Sequence, residues 1–375
     1  NFIFRKKNIN FNQKILMGPG PTNIDDKIKK ALSREPISHL DPDFFGILDN
    51  ISSSLRKVFK TTNKVTFAVS GTGSSGMEMG MNNLVESSDE VLILKNGEFG
   101  DRMENLALRL GAKVSTMSVP WGHSFNQDKV IEKIKSIPNL KLICVVQAET
   151  STGVLQEIDL IGKYVKDKDI IFLVDAVTSL TGVNLEVDAW GIDCCFSGTQ
   201  KCLSVPPGLS PITFSEKAID KINHRKDSSS SWYFDLKMLI NYWGDNRVYH
   251  HTAPVNMLFA LNEGLNLCLK EGLADRFERH HNNSEYFKVK LAQFGLESFV
   301  DETRFKSLPM IKSVFIPKGI DDLEIRGNLL SKYGIEIGGG LGVTKGKIWR
   351  IGIMGFNSRK ELITDLFNKL SLYLN

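Results

Sequence analysis

Val65-Thr66-Phe67-Ala68-Val69 runs directly into Ser70-Gly71-Thr72-Gly73-Ser74, an apolar β-rich segment followed by a glycine-rich turn and then a helical pattern from about Ser75. The theme returns in Val91-Leu92-Ile93-Leu94, Leu142-Ile143-Cys144-Val145-Val146 and Ile170-Ile171-Phe172-Leu173-Val174. Unbroken apolar runs of this kind mark strands covered on both faces. Their alternation with helical segments over residues 64–214 predicts βαβ units and a mostly parallel sheet in an α/β protein. One intervening segment, Asn126 to Ser136, sets Val130, Ile131 and Ile134 against a lysine-rich face and ends before Pro138, which reads as a packing helix.

Beyond Phe214 the pattern changes. Ser228 to Ser231 reads as a surface loop and Val255 to Lys270 as a helix. From about Gly272, charged helices and short strands such as Ser313 to Ile316 and Ile348 to Ile353 predict a smaller α+β domain. A chain of 375 residues exceeds one small core. The expected organisation is an N-terminal arm (1–14), a large domain (15–271) and a small C-terminal domain (272–375). No internal repeat or low-complexity linker separates the two domains, so they should share an interface, and clefts between domains are common ligand sites.

Composition excludes several function classes. The 47 basic and 43 acidic residues are dispersed and give a net charge of +4, which leaves no footprint for nucleic acid or an anionic membrane. No apolar run approaches the roughly 18 residues of a membrane span. Asn1 to Gln13 carries basic residues without a hydrophobic signal region. Cys144, Cys194, Cys195, Cys202 and Cys268 are odd in number and lack C-x-x-C spacing. They read as small buried hydrophobes in a reducing compartment, with a cytoplasmic location expected and an organelle matrix as the alternative.

Three features carry chemistry. The turn Ser70 to Ser74, between strand and helix, is either a tight turn or a phosphate cradle at the positive end of a helix dipole. It lacks both G-x-G-x-x-G and Gly-Lys-Ser/Thr, which argues against dinucleotides and ATP. Asp175 closes a buried strand, where it caps the next helix or faces a ligand at the carboxyl end of the sheet. A second strand-like run, Asp193-Cys194-Cys195-Phe196-Ser197, leads through Gly198-Thr199-Gln200 to Lys201 and then Pro206-Pro207-Gly208, so this lysine is less free in water than most. The third feature, Arg350 in Trp349-Arg350-Ile351-Gly352, taken alone reads as an outward-facing strand arginine.

Taken together these motifs resemble the class V, fold type I aminotransferases, most of all the alanine–glyoxylate and serine–pyruvate branch. The resemblance runs in order through Gly18-Pro19-Gly20-Pro21-Thr22-Asn23, Ser70-Gly71-Thr72-Gly73, Glu149-Thr150-Ser151-Thr152-Gly153-Val154-Leu155-Gln156, Val174-Asp175-Ala176, Ser197-Gly198-Thr199-Gln200-Lys201, Tyr249-His250-His251-Thr252, Ile337-Gly338-Gly339-Gly340-Leu341-Gly342 and Arg350-Ile351-Gly352. It implies a large domain with a mostly parallel seven-stranded sheet, pyridoxal 5'-phosphate as cofactor and a homodimer with shared active sites. Lys201 would hold the cofactor and shuttle the substrate proton, and Asp175 would pair with the pyridine nitrogen. Ser70, Thr72, Gly73, Ser74 and Gln200 would surround the phosphate, joined by Tyr249 and Thr252 from the second subunit. Ser151 would lie near the ring, Phe99 would stack on it, and Gly20, Ser151 and Arg350 would receive the substrate. Two positions depart from the branch: Phe99 stands where many relatives carry tryptophan, and Ser74 where they often carry histidine.

The activity implied is transamination between a small amino acid, alanine or serine, and a 2-oxo acid, glyoxylate or pyruvate, by a ping-pong cycle. Ureidoglycine, 3-hydroxykynurenine and 2-aminoethylphosphonate are alternative donors within the same framework. A cysteine desulfurase would need a nucleophilic cysteine on a mobile loop well beyond the lysine, and only Cys202 and Cys268 follow Lys201. A non-catalytic scaffold is opposed by the joint presence of Lys201, Asp175 and Arg350.

Overall fold

The computed structural model describes residues 13–374, so all but the end of the expected N-terminal arm lies outside the described residues. The large domain is organised by seven strands: Val65–Ser70 (β1), Glu90–Lys95 (β2), Lys113–Ser118 (β3), Leu140–Val146 (β4), Ile171–Asp175 (β5), Cys194–Phe196 (β6) and Leu209–Phe214 (β7). They form one sheet in the order β1-β7-β6-β5-β4-β2-β3. The pairs β2–β3, β2–β4, β4–β5 and β5–β6 are parallel, whereas β7 runs antiparallel to both β1 and β6. This is the mostly parallel, seven-stranded α/β sheet expected.

The apolar runs divide by pleat, because successive side chains point to opposite faces. Ile143 and Val145 of β4, with Phe172 and Val174 of β5, enter one core together with Leu48 and Leu55 of the helix Pro42–Phe59 and Leu258 and Leu261 of Val255–Glu271. Leu142, Cys144 and Val146, with Ile171 and Leu173, enter the other, against Met77 of Gly73–Leu84 and Met103 of Glu98–Arg109. All five cysteines are buried and unpaired. The segment Gln127–Lys135 is helical, with the Asn126 side chain accepting from the Lys129 N–H at its start. None of the described helices is long and apolar enough to cross a membrane.

The C-terminal region centres on Ile348–Gly352, flanked antiparallel by Ile311–Phe315 and Gly338–Gly339. Trp349 and Ile351 enter a separate core with Phe287 of Leu273–Gln293 and Phe367 of Lys360–Leu370. The intervening Arg350 therefore points to the opposite face. Ile15–Leu16 pairs in parallel with Ile335–Glu336, so the chain begins its described course on the C-terminal region before crossing to the large domain. That crossing, Met17 to Thr22, is held by hydrogen bonds at both ends: the Gly352 N–H donates to the Met17 carbonyl (2.7 Å) and the Thr22 N–H to the Gln200 carbonyl (3.2 Å).

Candidate active site

Three strand ends converge, as ligand sites do at the carboxyl edge of open α/β sheets. Asp175 is the last residue of β5 and only 2% exposed, and its Oδ1 accepts the Val177 N–H at 2.8 Å. Lys201 follows β6 on a turn fixed by Ser197 N–H to the Pro211 carbonyl (2.8 Å) and Thr199 Oγ1 to the Pro206 carbonyl (2.7 Å). The lysine is 8% exposed and its Nζ donates to the Pro19 carbonyl. Gly20 has φ +112° and lies against this side chain, where a Cβ would come within 2.7 Å of Nζ. Both the backbone angle and the space require glycine.

At the end of β1 the helix Gly73–Leu84 begins with Thr72 as its N-cap, and no side chain caps its first N–H groups. Such an open N-terminus is an anion site. Thr72, Gly73, Ser74, Phe99, Asp175, Gln200 and Lys201 line one cleft of about 200 Å³. Met77, Arg102, Val177 and Phe196 complete its wall; no motif signalled them. Gln200 leaves a buried Oε1 without a partner among the described residues. An uncapped helix start, a buried carboxylate, a primary amine and an aromatic face within one small cleft match the phosphate, ring nitrogen, aldehyde and ring of pyridoxal phosphate.

Burial sets the ionisation of these groups, because a low-dielectric surrounding disfavours the charged form. It pushes Asp175 up to about 7; the negative Glu149 adds to the rise, while the Val177 N–H and Lys201 oppose it. Burial, assisted by the positive Arg350, brings Lys201 down to about 8. The amine is thus much closer to its neutral, nucleophilic form than a surface lysine.

The remaining residues singled out in the sequence, Gly20, Ser70, Ser151, Tyr249, Thr252 and Arg350, do not line this cleft. Arg350 is 7% exposed and donates from Nε to the Gly339 carbonyl (2.8 Å) and from Nη1 to the Thr150 carbonyl (3.3 Å). An arginine has five N–H donors, so two backbone bonds fix the plane and leave the others for a ligand. Burial lowers its pKa to about 10, and it stays charged at neutral pH. Ser151 is fully buried; its hydroxyl donates to Glu149 Oε1 (2.5 Å) and accepts the Glu98 N–H (3.0 Å). Ser70 does not line the cleft, and its Oγ hydrogen-bonds His251 Nε2 at 2.7 Å. Tyr249 and Thr252 are exposed and also stand outside it. Glu149 was passed over in the sequence: it lay inside a quoted motif but gave no sign of being a buried carboxylate.

The raised pKa of Asp175 fixes a sign. A carboxyl whose folded pKa lies above its unfolded value of 3.8 contributes stability that is fully present below about 3.8 and is lost progressively as pH rises from there through about 7. Asp175→Asn keeps the acceptor for Val177 and removes the charge. In the cofactor-free protein it should raise the melting temperature by a few degrees at pH 8 and by clearly less at pH 5, as read by calorimetry. Equal effects at both pH values would show that Asp175 is not held near neutrality.

A sequence model described as "Aminotransferase class-V" matches residues 27–363. The chain is 38% identical to the (S)-ureidoglycine–glyoxylate transaminase of Bacillus subtilis (strain 168), over 92% of this chain and 87% of that protein. It is 37% identical to the alanine–glyoxylate aminotransferase of Callithrix jacchus, over 94% of this chain and 86% of that protein. The crystal structure of an alanine–glyoxylate aminotransferase from Nostoc sp. superposes with a TM-score of 0.95 at 42% identity, covering 98% of this chain and 97% of that one. With the family model matching most of this chain and curated relatives similar over 92% and 94% of it, the chain belongs to the class-V aminotransferases.

Proposed function

We propose that this aminotransferase moves an amino group from a small amino acid, alanine or serine, to a 2-oxo acid, glyoxylate or pyruvate, on pyridoxal phosphate in two half-reactions at one site. The observation that carries the reading is the meeting of Lys201, Asp175 and the open start of Gly73–Leu84 in one cleft. Bound there, pyridoxal phosphate supplies an electron sink for the carbanion left when the substrate Cα loses its proton. Lys201 Nζ, close to neutrality, would hold the cofactor and then carry that proton from the substrate Cα to the cofactor's C4′ carbon. Asp175 retains a proton on the ring nitrogen, Phe99 covers a ring face, and the N–H groups and hydroxyls of Thr72, Gly73 and Ser74, with Gln200, orient the phosphate. Arg350, its plane fixed by Gly339 and Thr150, receives the α-carboxylate, with Gly20 and Ser151 bounding the substrate.

The names of the relatives support glyoxylate as acceptor, and the alanine–glyoxylate enzymes support alanine as donor. The Bacillus relative, named for ureidoglycine, favours that compound as the second reading. Amino acids and ureidoglycine mixed separately with the holoenzyme should change its absorbance in the donor half-reaction, with alanine or serine fastest and glyoxylate or pyruvate reversing the change. Borohydride should fix the cofactor on Lys201 by peptide mapping. Fastest reaction with ureidoglycine would transfer the assignment to the second reading, and label on another lysine would overturn the role of Lys201.

Arg350→Leu removes a charge-assisted, planar contact that lysine cannot reproduce. A lost hydrogen bond to a charged group costs about 1.5–3 kcal/mol, so kcat/KM should fall by at least roughly 10- to 150-fold in both half-reactions. The cofactor spectrum should stay nearly unchanged. Wild-type kcat/KM toward alanine, serine and glyoxylate would place the carboxylate contact elsewhere.

The exposed Tyr249 and Thr252 support a homodimer in which each completes the neighbour's phosphate site. Mixing inactive Lys201→Ala subunits with inactive Tyr249→Phe/Thr252→Ala subunits should then restore part of the activity. No recovery after proven subunit exchange would mean that the sites are not shared.

A further inference from the structure

Glu149 is the buried carboxylate for which transamination chemistry has no use. It closes the short strand Ala148–Glu149, pairs with Val154 in a hairpin, and at the hairpin tip presents Thr150, Ser151 and Thr152. The tip is tied to Glu149 twice. The Glu149 carbonyl accepts the N–H groups of Thr152 (3.2 Å) and Gly153 (2.8 Å), and its Oε1 accepts both the N–H (3.0 Å) and the hydroxyl (2.5 Å) of Ser151. The other oxygen, Oε2, is buried without a well-formed hydrogen bond among the described residues, and the Phe99 backbone N–H lies close enough to the carboxylate to favour its charged form. The Ser151 hydroxyl can donate to the carboxylate and still accept, and what it accepts is the Glu98 N–H. Gly97 packs so closely that a Cβ would collide with the Glu149 carboxyl carbon and with Ser151 Oγ.

These contacts connect parts of the site that are distant in sequence. Glu98 and Phe99 open the helix Glu98–Arg109, and Phe99 lines the cleft. The Thr150 carbonyl beside Ser151 accepts from Arg350. We propose that Glu149 is a positioning residue, whose carboxylate clamps Ser151 and through it the Gly97–Phe99 turn, so that the wall carrying Phe99 and the Thr150 anchor of Arg350 moves as one unit. The proposal rests on the transaminase reading for its kinetic consequence and on geometry alone for its structural one. Burial pushes the Glu149 carboxyl up to about 7, with hydrogen bonds from Ser151 working against the rise. The acceptor function does not require the charge, because a neutral amide oxygen in the same place can receive both Ser151 bonds.

Glu149→Ala and Glu149→Gln separate the clamp from simple filling of space. In the cofactor-free protein, amide hydrogen exchange should accelerate at least about tenfold at Glu98 and Ser151 in Glu149→Ala and remain near wild type in Glu149→Gln, with β4 and β5 unchanged in both. In the holoenzyme, Glu149→Ala should raise KM for the amino acid and the oxo acid by about tenfold, with kcat changed less than about threefold, while Glu149→Gln restores KM to within about threefold. Ser151→Ala, which keeps the carboxylate but cuts the link to Glu98, should reproduce the exchange at Glu98 and serves if Glu149→Ala does not fold. Unchanged exchange at Glu98 in Ser151→Ala, unchanged KM in a folded Glu149→Ala, or a Gln variant as impaired as Ala would each overturn the clamp. A wild-type holoenzyme without any transamination would instead overturn the functional reading and leave the exchange result intact.

Discussion

The cost of burying ionisable groups governs this site. β5 and β6 are enclosed on both faces; Asp175 ends β5, Lys201 follows β6 after a turn, and both side chains are buried in one narrow cleft. Neither group can be buried fully charged without compensation. The acid is accordingly held up and the amine held down, each chiefly by burial. Two groups that would be fully ionised on the surface are brought close to the point where a proton can pass either way at neutral pH. The hydrophobic sheet therefore supplies the reactivity as well as the framework.

A second constraint is that a charged group from the C-terminal region is held near Lys201 with little freedom. Arg350 meets it by alternation in a strand: Trp349 and Ile351 are locked into their own core, and the residue between them must point the other way. Its plane is fixed from both regions, by Gly339 on the neighbouring strand and by Thr150 on the large-domain hairpin. The crossing segment Met17 to Thr22 passes between the two regions. It leaves room only for backbone where Gly352 meets Gly18 and where Gly20 meets Lys201. A side chain at either place would push the two halves of the site apart.

Much of this was legible in the sequence. The apolar runs located β1, β2, β4, β5 and β6 to within a few residues, because strands covered on both faces must be continuously apolar. β3 gave no such signal: Lys113–Ser118 is an edge strand with polar residues at most positions and little burial. β7 was obscured by Pro211, which ordinarily argues against an interior strand. Here Pro211 pairs opposite Ala68 and its carbonyl accepts the Ser197 N–H, while the Ser197 carbonyl takes its hydrogen bond from Ser210 Oγ (2.5 Å), so the missing donor is tolerated. Among the candidate site positions, Asp175, Lys201 and the Thr72–Ser74 turn were readable because they follow strand ends. Arg350 gained a meaning only through resemblance, since an arginine in a strand has no address until the sheet is paired. Glu149, Met77 and Arg102 could not have been found from spacing, because their proximity to the cleft is created by tertiary packing.

The charge pattern around the cleft has a consequence for how the parts depend on one another. Asp175 feels Glu149 as a like charge and Lys201 as an opposite one, and Lys201 feels Arg350 as a like charge. Acids and bases are interleaved, so a change in ionisation at one position is transmitted to the next with alternating sign. A cation brought beside Asp175 would favour its ionised form, reversing the direction set by burial. The ionised Asp175 would in turn favour the charged form of Lys201, and the proximity of Arg350 opposes that outcome. By keeping positive charge close to Lys201, Arg350 adds to the burial that disfavours the charged amine. An anion arriving at Arg350 would weaken that restraint, so the proton affinity of Lys201 would rise through electrostatics alone.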